Sequence, residues 1–391
     1  MSRDQLVAAT RRNLVHSRNG TVPLDAGIKR VPVLNYYDPQ RWQLEMDRVF
    51  RRLPLVLGFS CEMREPHSYK ALDVMGTPVL LTRGDDGVVR SFVNMCSHRG
   101  AIVVEEGTGT GRRFACPYHA WTYDQRGELV GMLDKANFGE IDMSCHGLTP
   151  LPVAERAGII FGGITPGMPF DIDAFLCGYD SMLEHIGLAD CTFVGRQMVE
   201  GPNWKLAYDG YLDFYHLPIL HKDTFGSTYN NKTINDAWGP HQRNVQPDER
   251  ILALADIPED EWPMSKLTGG VWTIFPHVSV AAFDAGGRMF MISQLFPGDT
   301  PETSVTVQKL PRHVRTRRRA AQHDRQADGF PHARRARRGL LHRQAHPAGS
   351  EDRCQDRVRL RSQRGSVSAV PWLGRRPRCC AGCGCHGGLV R

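Results

Sequence analysis

The chain has 391 residues, 41% hydrophobic and 23% charged, with a formal net charge of +7. That length suggests two domains, each able to bury its own core, and that composition is normal for a soluble globular protein. No apolar run of roughly 18 residues occurs and Met1–Gly20 lacks a signal-peptide segment, which excludes a helical membrane span and points to the cytoplasm, with the 11 cysteines as thiols or metal ligands.

Residues 1–35 read as an irregular arm. Asp38-Pro39 then starts a helix, Asp as N-cap and Pro at the first helical position, so 1–44 is an arm and a helix start. Trp42, Met46, Val49 and Phe50 give that helix an apolar face. From Ser68 the pattern changes to short strands. Two apolar runs flank Gly84-Asp85-Asp86-Gly87, a hairpin signal. Phe114 to Trp121 and Glu128 to Met132 flank a second turn, Asp124-Gln125-Arg126-Gly127, and Ala157 to Phe161 reads as a buried strand. Residues 45–160 are thus expected to form a small, mostly β domain. Asp171 to Leu188 reads as a helix, and Asn203 to His221 as a helix with an irregular end. Trp272 to Phe275, Val278 to Phe283 and Met289 to Phe296 read as strands of a second sheet. Residues 165–310 are therefore expected to be an α+β domain.

Chemistry concentrates in two places. Cys96-Ser97-His98 is followed, after 17 residues, by Cys116-Pro117-Tyr118-His119. Two short loops, each with one thiolate and one imidazole, suit a two-iron cluster in which the cysteines hold one iron and the histidines the other. A Cys2His2 zinc site is the alternative, although zinc fingers more often pair like ligands at short spacing. Further along, Asp213, His216 and His221 fall within one 19-residue stretch, 203–221. Two His five apart, plus a carboxylate elsewhere, is the composition of a facial triad that leaves positions open on Fe(II), though two His in an aromatic helix can also simply pack.

The first motif resembles the Rieske family. The loops lack the extra cysteine of respiratory Rieske proteins, and together with Arg99 and Trp121 they resemble those of Rieske non-haem iron oxygenases and their ferredoxins. The second stretch is similar to the iron-binding motif of the catalytic α subunits of ring-hydroxylating oxygenases. The resemblance covers roughly residues 35–310. It implies an all-β Rieske [2Fe–2S] domain followed by a helix-grip (START-like) catalytic domain. Cys96, His98, Cys116 and His119 would ligate the cluster, and His216 and His221 a mononuclear Fe(II). Asp213 would bridge electrons between the two, hydrogen-bonding His216 and the cluster histidine of a neighbouring subunit. Asn203 matches an Asn near the iron; as a helix cap it would have no such role. The implied partners are a separate reductase or ferredoxin, O2, a small apolar or aromatic substrate, and further copies in a trimer, with or without a small β subunit. The rival is a cluster-bearing electron carrier or binding protein without oxygenase activity.

The tail departs from this pattern. From Pro311 to Arg391 there are 20 Arg, no Lys and five acids, a net +15 against −8 for residues 1–310. Only Phe330 and Trp372 are aromatic, and four cysteines crowd Cys379 to Cys385. A nucleic-acid arm or a metal knuckle would need aromatic interleaving or paired spacing that is missing here, so no nucleic-acid partner is expected. The third reading is a frame error in the coding DNA. With codons chosen to suit, Arg338 to Glu351 read one nucleotide later can encode Glu-Asp-Tyr-Tyr-Thr-Gly-Lys-Arg-Ile-Gln-Arg-Ala-Leu. That acidic-aromatic run resembles the family segment bearing the carboxylate ligand, which would fall at Gly339/Leu340. Residues 311–391 are accordingly expected to be out of frame, with Asp352 and Asp356 poor candidates for a third ligand.

Overall fold

A computed structural model of the chain describes residues 2–24, 30–223, 230–284 and 288–313. The Arg-rich tail beyond His313, with Glu351, Asp352 and Asp356, lies outside the described residues. Residues 2–19, expected to be irregular, instead form a helix, α1 (Ser2–Asn19). Its packed stripe is Leu6, Val7, Thr10, Asn13 and Leu14, at helical spacing. Two of these five are polar, which hides the stripe from a reading of apolar periodicity. Asn13 shows why a polar residue suits the buried side: its amide donates to Gln246 O at 3.1 Å. Next come α2 (Leu34–Tyr37) and α3 (Pro39–Glu45). Asp38 caps α3 by accepting from the Arg41 N–H at 2.7 Å, as expected, and the helix runs on as a π-turn over Met46–Phe50.

Eleven short strands follow: β1 (Leu55–Phe59), β2 (Ser68–Val74), β3 (Thr77–Arg83), β4 (Val89–Val93), β5 (Gly107–Thr110), β6 (Arg113–Ala115), β7 (Thr122–Asp124), β8 (Leu129–Gly131), β9 (Pro150–Leu151), β10 (Val153–Arg156) and β11 (Ile159–Gly162). They make three antiparallel sheets, ordered β5-β2-β3-β4-β9, β6-β7-β8 and β1-β11-β10. The hairpin at Gly84–Gly87 forms as read, with Gly87 at φ +74° and its N–H on Gly84 O at 3.1 Å. Two expectations shift. The strand read over Phe114–Trp121 is only β6, because residues 116–121 leave the ladder as a loop. Ala157 and Gly158, read as strand, are the turn before β11, with φ of +51° and +77°.

The second domain holds α4 (Ile172–Leu176), α5 (Tyr179–Leu183), β12 (Cys191–Gly201), α6 (Trp204–Leu212), α7 (Leu217–Leu220), β13 (Ile234–Trp238), β14 (His241–Val245), α8 (Met264–Leu267), β15 (Gly270–Ile274), β16 (Val278–Asp284), β17 (Arg288–Pro297) and β18 (Ser304–His313). The helix read over 171–188 is broken: Cys177 and Gly178 both adopt left-handed backbone, φ +52° and +80°, which separates α4 from α5. Strands β13 to β18 form an antiparallel meander, and β12 closes against β18 to complete seven strands.

That sheet has two unlike sides, as alternation along a strand requires. Trp272, Ile274, Val280, Phe290 and Ile292 are fully buried against Leu6, Tyr179 and Leu183. On the other side Thr273, Ser279 and Ser293 stand in one cross-strand row, also buried. This polar side faces α6, since Asn244, on the same side of β14, donates to Tyr211 O at 3.2 Å. Among the described residues no helix is long and apolar enough to cross a membrane.

Candidate metal centres

Two loops with the same backbone plan present the first set of residues. In loop one, between β4 and β5, Cys96 N–H donates to Ala101 O and Gly100 N–H to Cys96 O, both at 2.8 Å. In loop two, between β6 and β7, Cys116 N–H donates to Trp121 O at 2.8 Å and Ala120 N–H to Cys116 O at 2.9 Å. The fifth residue of each loop has left-handed backbone, Gly100 at φ +73° and Ala120 at φ +54°. Glycine takes that conformation freely; alanine does so at a cost. The repeated turn puts Cys96 and Cys116 on the buried side, 4% and 3% exposed, with their sulfurs in hydrogen-bonding reach of each other. His98 and His119 lie together nearer the surface, ring centroids 4.8 Å apart.

The surroundings of these four residues are aromatic and hydrogen-bonding. Tyr123, fully buried, places its hydroxyl 3.1 Å from Cys96 Sγ and accepts from the Ser97 N–H at 3.0 Å. Burial pushes the Cys96 thiol up, and Tyr123 counters it. Burial, then His119 and Arg99, pull the His98 imidazole down, keeping it neutral as a metal ligand must be. Trp121 stacks on His98 at 4.8 Å, and His146 stacks on its far side at 5.7 Å. Tyr118 stacks on His119 at 3.9 Å. The donor set fits a two-iron cluster: thiolates paired on one side, neutral imidazoles on the other. Two facing pairs, one of sulfurs and one of imidazoles, are what such a cluster takes. The four residues that the sequence singles out are the ones these loops bring together. Sequence reasoning missed Tyr123 and His146, which carry no motif signal because their roles come from spatial neighbours.

The second set hangs on the end of α6. Asn203 caps that helix, accepting from the Lys205 N–H at 2.9 Å, and its amide N–H groups go to Tyr36 O and to Pro301 O, the latter at 2.6 Å. These contacts are those of a helix cap, at the opposite end of α6 from the His pair. Asp213 ends α6 in extended backbone, φ −105° and ψ 119°, and its Oδ1 accepts from the Tyr215 N–H at 2.6 Å. Its Oδ2 lies 3.5 Å from His216 Nδ1. The single turn α7 carries the chain from His216 to His221, and the two rings meet at 5.3 Å between centroids. Burial, then His216, lowers the His221 pKa. The structure thus brings Asp213, His216 and His221 together, with Asp213 against one ring as a supporting carboxylate. No other carboxylate joins the two rings among the described residues.

Residues 54–142 match the family profile of the Rieske [2Fe-2S] domain, and residues 188–351 that of the ring-hydroxylating α subunit catalytic domain. The chain is thus similar, in two successive stretches, to a Rieske domain and to a ring-hydroxylating α-subunit catalytic domain. The glycine betaine monooxygenase oxygenase subunit of Chromohalobacter salexigens is 30% identical over 203 residues, 51% of this chain and 45% of that one. The chlorobenzene dioxygenase subunit alpha of a Cupriavidus species is 32% identical over 190 residues, 46% of this chain and 42% of that one. The chain therefore spans less than half the length of these curated relatives. A quaternary ammonium Rieske monooxygenase crystal structure shares the fold, with a TM-score of 0.60 at 22% identity over 73% of this chain and 76% of that one. The first match falls on β1 to β8, and the second takes in the seven-stranded sheet.

Proposed function

We propose that this chain is the oxygenase component of a multicomponent Rieske non-haem iron oxygenase, working in the cytoplasm with a separate reductase or ferredoxin. The observation that carries the reading is the pair of matched loops closing Cys96, Cys116, His98 and His119 together, followed in the same chain by the Asp213–His216–His221 group. Cys96, His98, Cys116 and His119 hold the [2Fe–2S] cluster. His216 and His221 hold Fe(II), with a carboxylate as third ligand still to be supplied. Bound there, the two centres supply electron transfer and O2 activation for hydroxylation of a small organic substrate. Asp213 orients His216 through its Nδ1, fixing the tautomer that leaves Nε2 free for metal, and in a trimer it would also meet a neighbour's cluster histidine.

The relatives act on both quaternary ammonium and aromatic compounds by their names. The polar side of the sheet favours a substrate with a polar group over the plain aromatic expected from sequence. Asn244 Oδ1 is buried there without a partner among the described residues, beside Thr273, Ser279 and Ser293. Turnover of glycine betaine and of chlorobenzene by frame-restored protein distinguishes the two; oxidation of chlorobenzene alone overturns the polar-substrate reading.

The rival reading, an electron carrier without oxygenase activity, draws on the lack of a carboxylate as third ligand among the described residues. We attribute that lack to a frame break. The sheet pairs in register as far as Cys191↔His313, which supports a correct frame up to that point. The family match continues to residue 351, which weighs against a break ahead of Gly339/Leu340. Sequencing the gene across the codons for residues 305–351 decides the matter.

A further inference from the structure

The β1 strand is an edge strand of its own sheet, ordered β1-β11-β10. An edge strand has main-chain groups that no neighbour strand takes up. At Val56 these groups point away from β11, and two buried side chains of the α-subunit domain take both of them. Val56 N–H donates to His277 Nε2 at 2.9 Å, and Val56 O accepts from Gln294 Nε2 at 2.8 Å. His277 is 1% exposed and Gln294 4%. The register of β1 against β11 shifts between Val56 and Gly58, a bulge that leaves Leu57 unmatched at this point.

His277 is placed for this task by its turn. It follows Phe275-Pro276 at the tip between β15 and β16, and its own carbonyl accepts from the Leu295 N–H at 2.7 Å. The Phe296 ring packs on its imidazole at 4.9 Å. Because Nε2 accepts, the ring proton sits on Nδ1, which is buried without a partner among the described residues. A histidine kept neutral and half-satisfied in a core is costly, so the contact it makes is a specific one. A second tie stands nearby. Glu62 accepts from Lys70 Nζ of the Rieske domain and from Lys309 Nζ of β18, each at 2.8 Å.

We propose that His277 and Gln294 are positioning residues that latch the Rieske domain onto the catalytic sheet through the Val56 peptide groups, with Lys309–Glu62 as a second tie. The domain carrying the cluster is then fixed to the catalytic domain of its own chain instead of hinged to it. This rests on the reading of residues 54–142 as the cluster domain, but its test does not need the cluster.

Hydrogen exchange on the full chain reads the latch directly. The Val56 amide in the wild type should exchange only with the most protected amides of β16 and β17, that is, through global opening. His277→Leu should lower Val56 protection roughly 10- to 100-fold, as expected for a buried donor left unpaired. His277→Gln, whose Oε1 can reach the same N–H, should restore most of it. In the double variant His277→Leu/Gln294→Met, loss of the visible cluster band on heating should separate from loss of the far-ultraviolet sheet signal. Val56 exchanging with the fast amides of the wild type would overturn the latch, as would unchanged protection in His277→Leu. If His277→Leu fails to fold, the wild-type exchange rank of Val56 still decides. Absence of the visible band in the wild type would instead count against the cluster assignment and leave the exchange result standing.

Discussion

The Tyr123 hydroxyl lies 3.1 Å from Cys96 Sγ and is fully buried. A hydrogen bond to a ligating sulfur stabilises the reduced cluster, whose added charge spreads onto the sulfurs. Removing one worth about 1.4 kcal/mol shifts a one-electron couple by about 59 mV. Tyr123→Phe should therefore lower the midpoint potential by roughly 60 mV while leaving the reduced EPR spectrum of Rieske type; an unchanged potential in redox titration would remove Tyr123 from the cluster's tuning. Cys116→Ser and His98→Ala should each abolish the Rieske visible and EPR signals, because each deletes a ligand. Ala120 offers a gentler test of the loop geometry. Its φ of +54° repeats that of Gly100, so Ala120→Gly relieves left-handed strain of about 1 kcal/mol. Thermal unfolding followed at the cluster band should shift upward; a downward shift would show that the alanine methyl contributes packing that outweighs the strain.

At the scale of elements, the acid response of the fold follows from the turn carrying His277. Burial holds this imidazole down to about 3, from an ordinary 6.5. Between those values the unfolded chain binds a proton that the folded chain does not. Stability therefore falls as pH drops through that window, by up to ~1.4 kcal/mol per pH unit from this group alone. Glu62 adds to the loss at lower pH. Burial raises its carboxyl, but Lys70 and Lys309 outweigh that and hold it below the ordinary range. Denaturant midpoints at several pH values should show His277→Gln losing less stability between pH 6.5 and 4 than the wild type. Equal slopes would place the acid sensitivity elsewhere. The elements also show what could be read in advance. The hairpin at Gly84–Gly87, the Asp38 cap, β15 to β17 and the pairing of the two Cys/His loops were legible, because turn chemistry and motif spacing are local. The helix α1 was not, since its stripe mixes Thr10 and Asn13 with leucines. Nor was the break at Cys177-Gly178, where a non-glycine takes left-handed backbone. Asn203 was ambiguous in sequence, because the side chain that suits a metal site also suits a helix cap, and its contacts to Lys205, Tyr36 and Pro301 are those of a cap. His277 and Gln294 carried no sequence signal, because their partner lies 221 and 238 residues away.

For the whole molecule, the decisive quantity is iron per chain. The described residues offer a complete Cys2His2 set for the cluster but only two histidines, supported by Asp213, for the mononuclear site. Two imidazoles alone hold Fe(II) weakly; the facial arrangement needs a carboxylate as well. The written chain should thus retain about two irons and two sulfides after desalting, all in the cluster. A gene restored to the frame that places Asp at Gly339/Leu340 should yield about three irons per chain, and hydroxylation should appear only then. Asp213→Asn in the restored protein should keep all three irons but halt oxidation of the reduced cluster in a single turnover, because the orienting carboxylate between the centres is lost. Normal cluster oxidation in that variant would rule out the bridging role while leaving both metal sites intact. About three irons and full turnover from the written chain would show that residues 314–391 supply the third ligand as they stand, and the frame break would have to be abandoned.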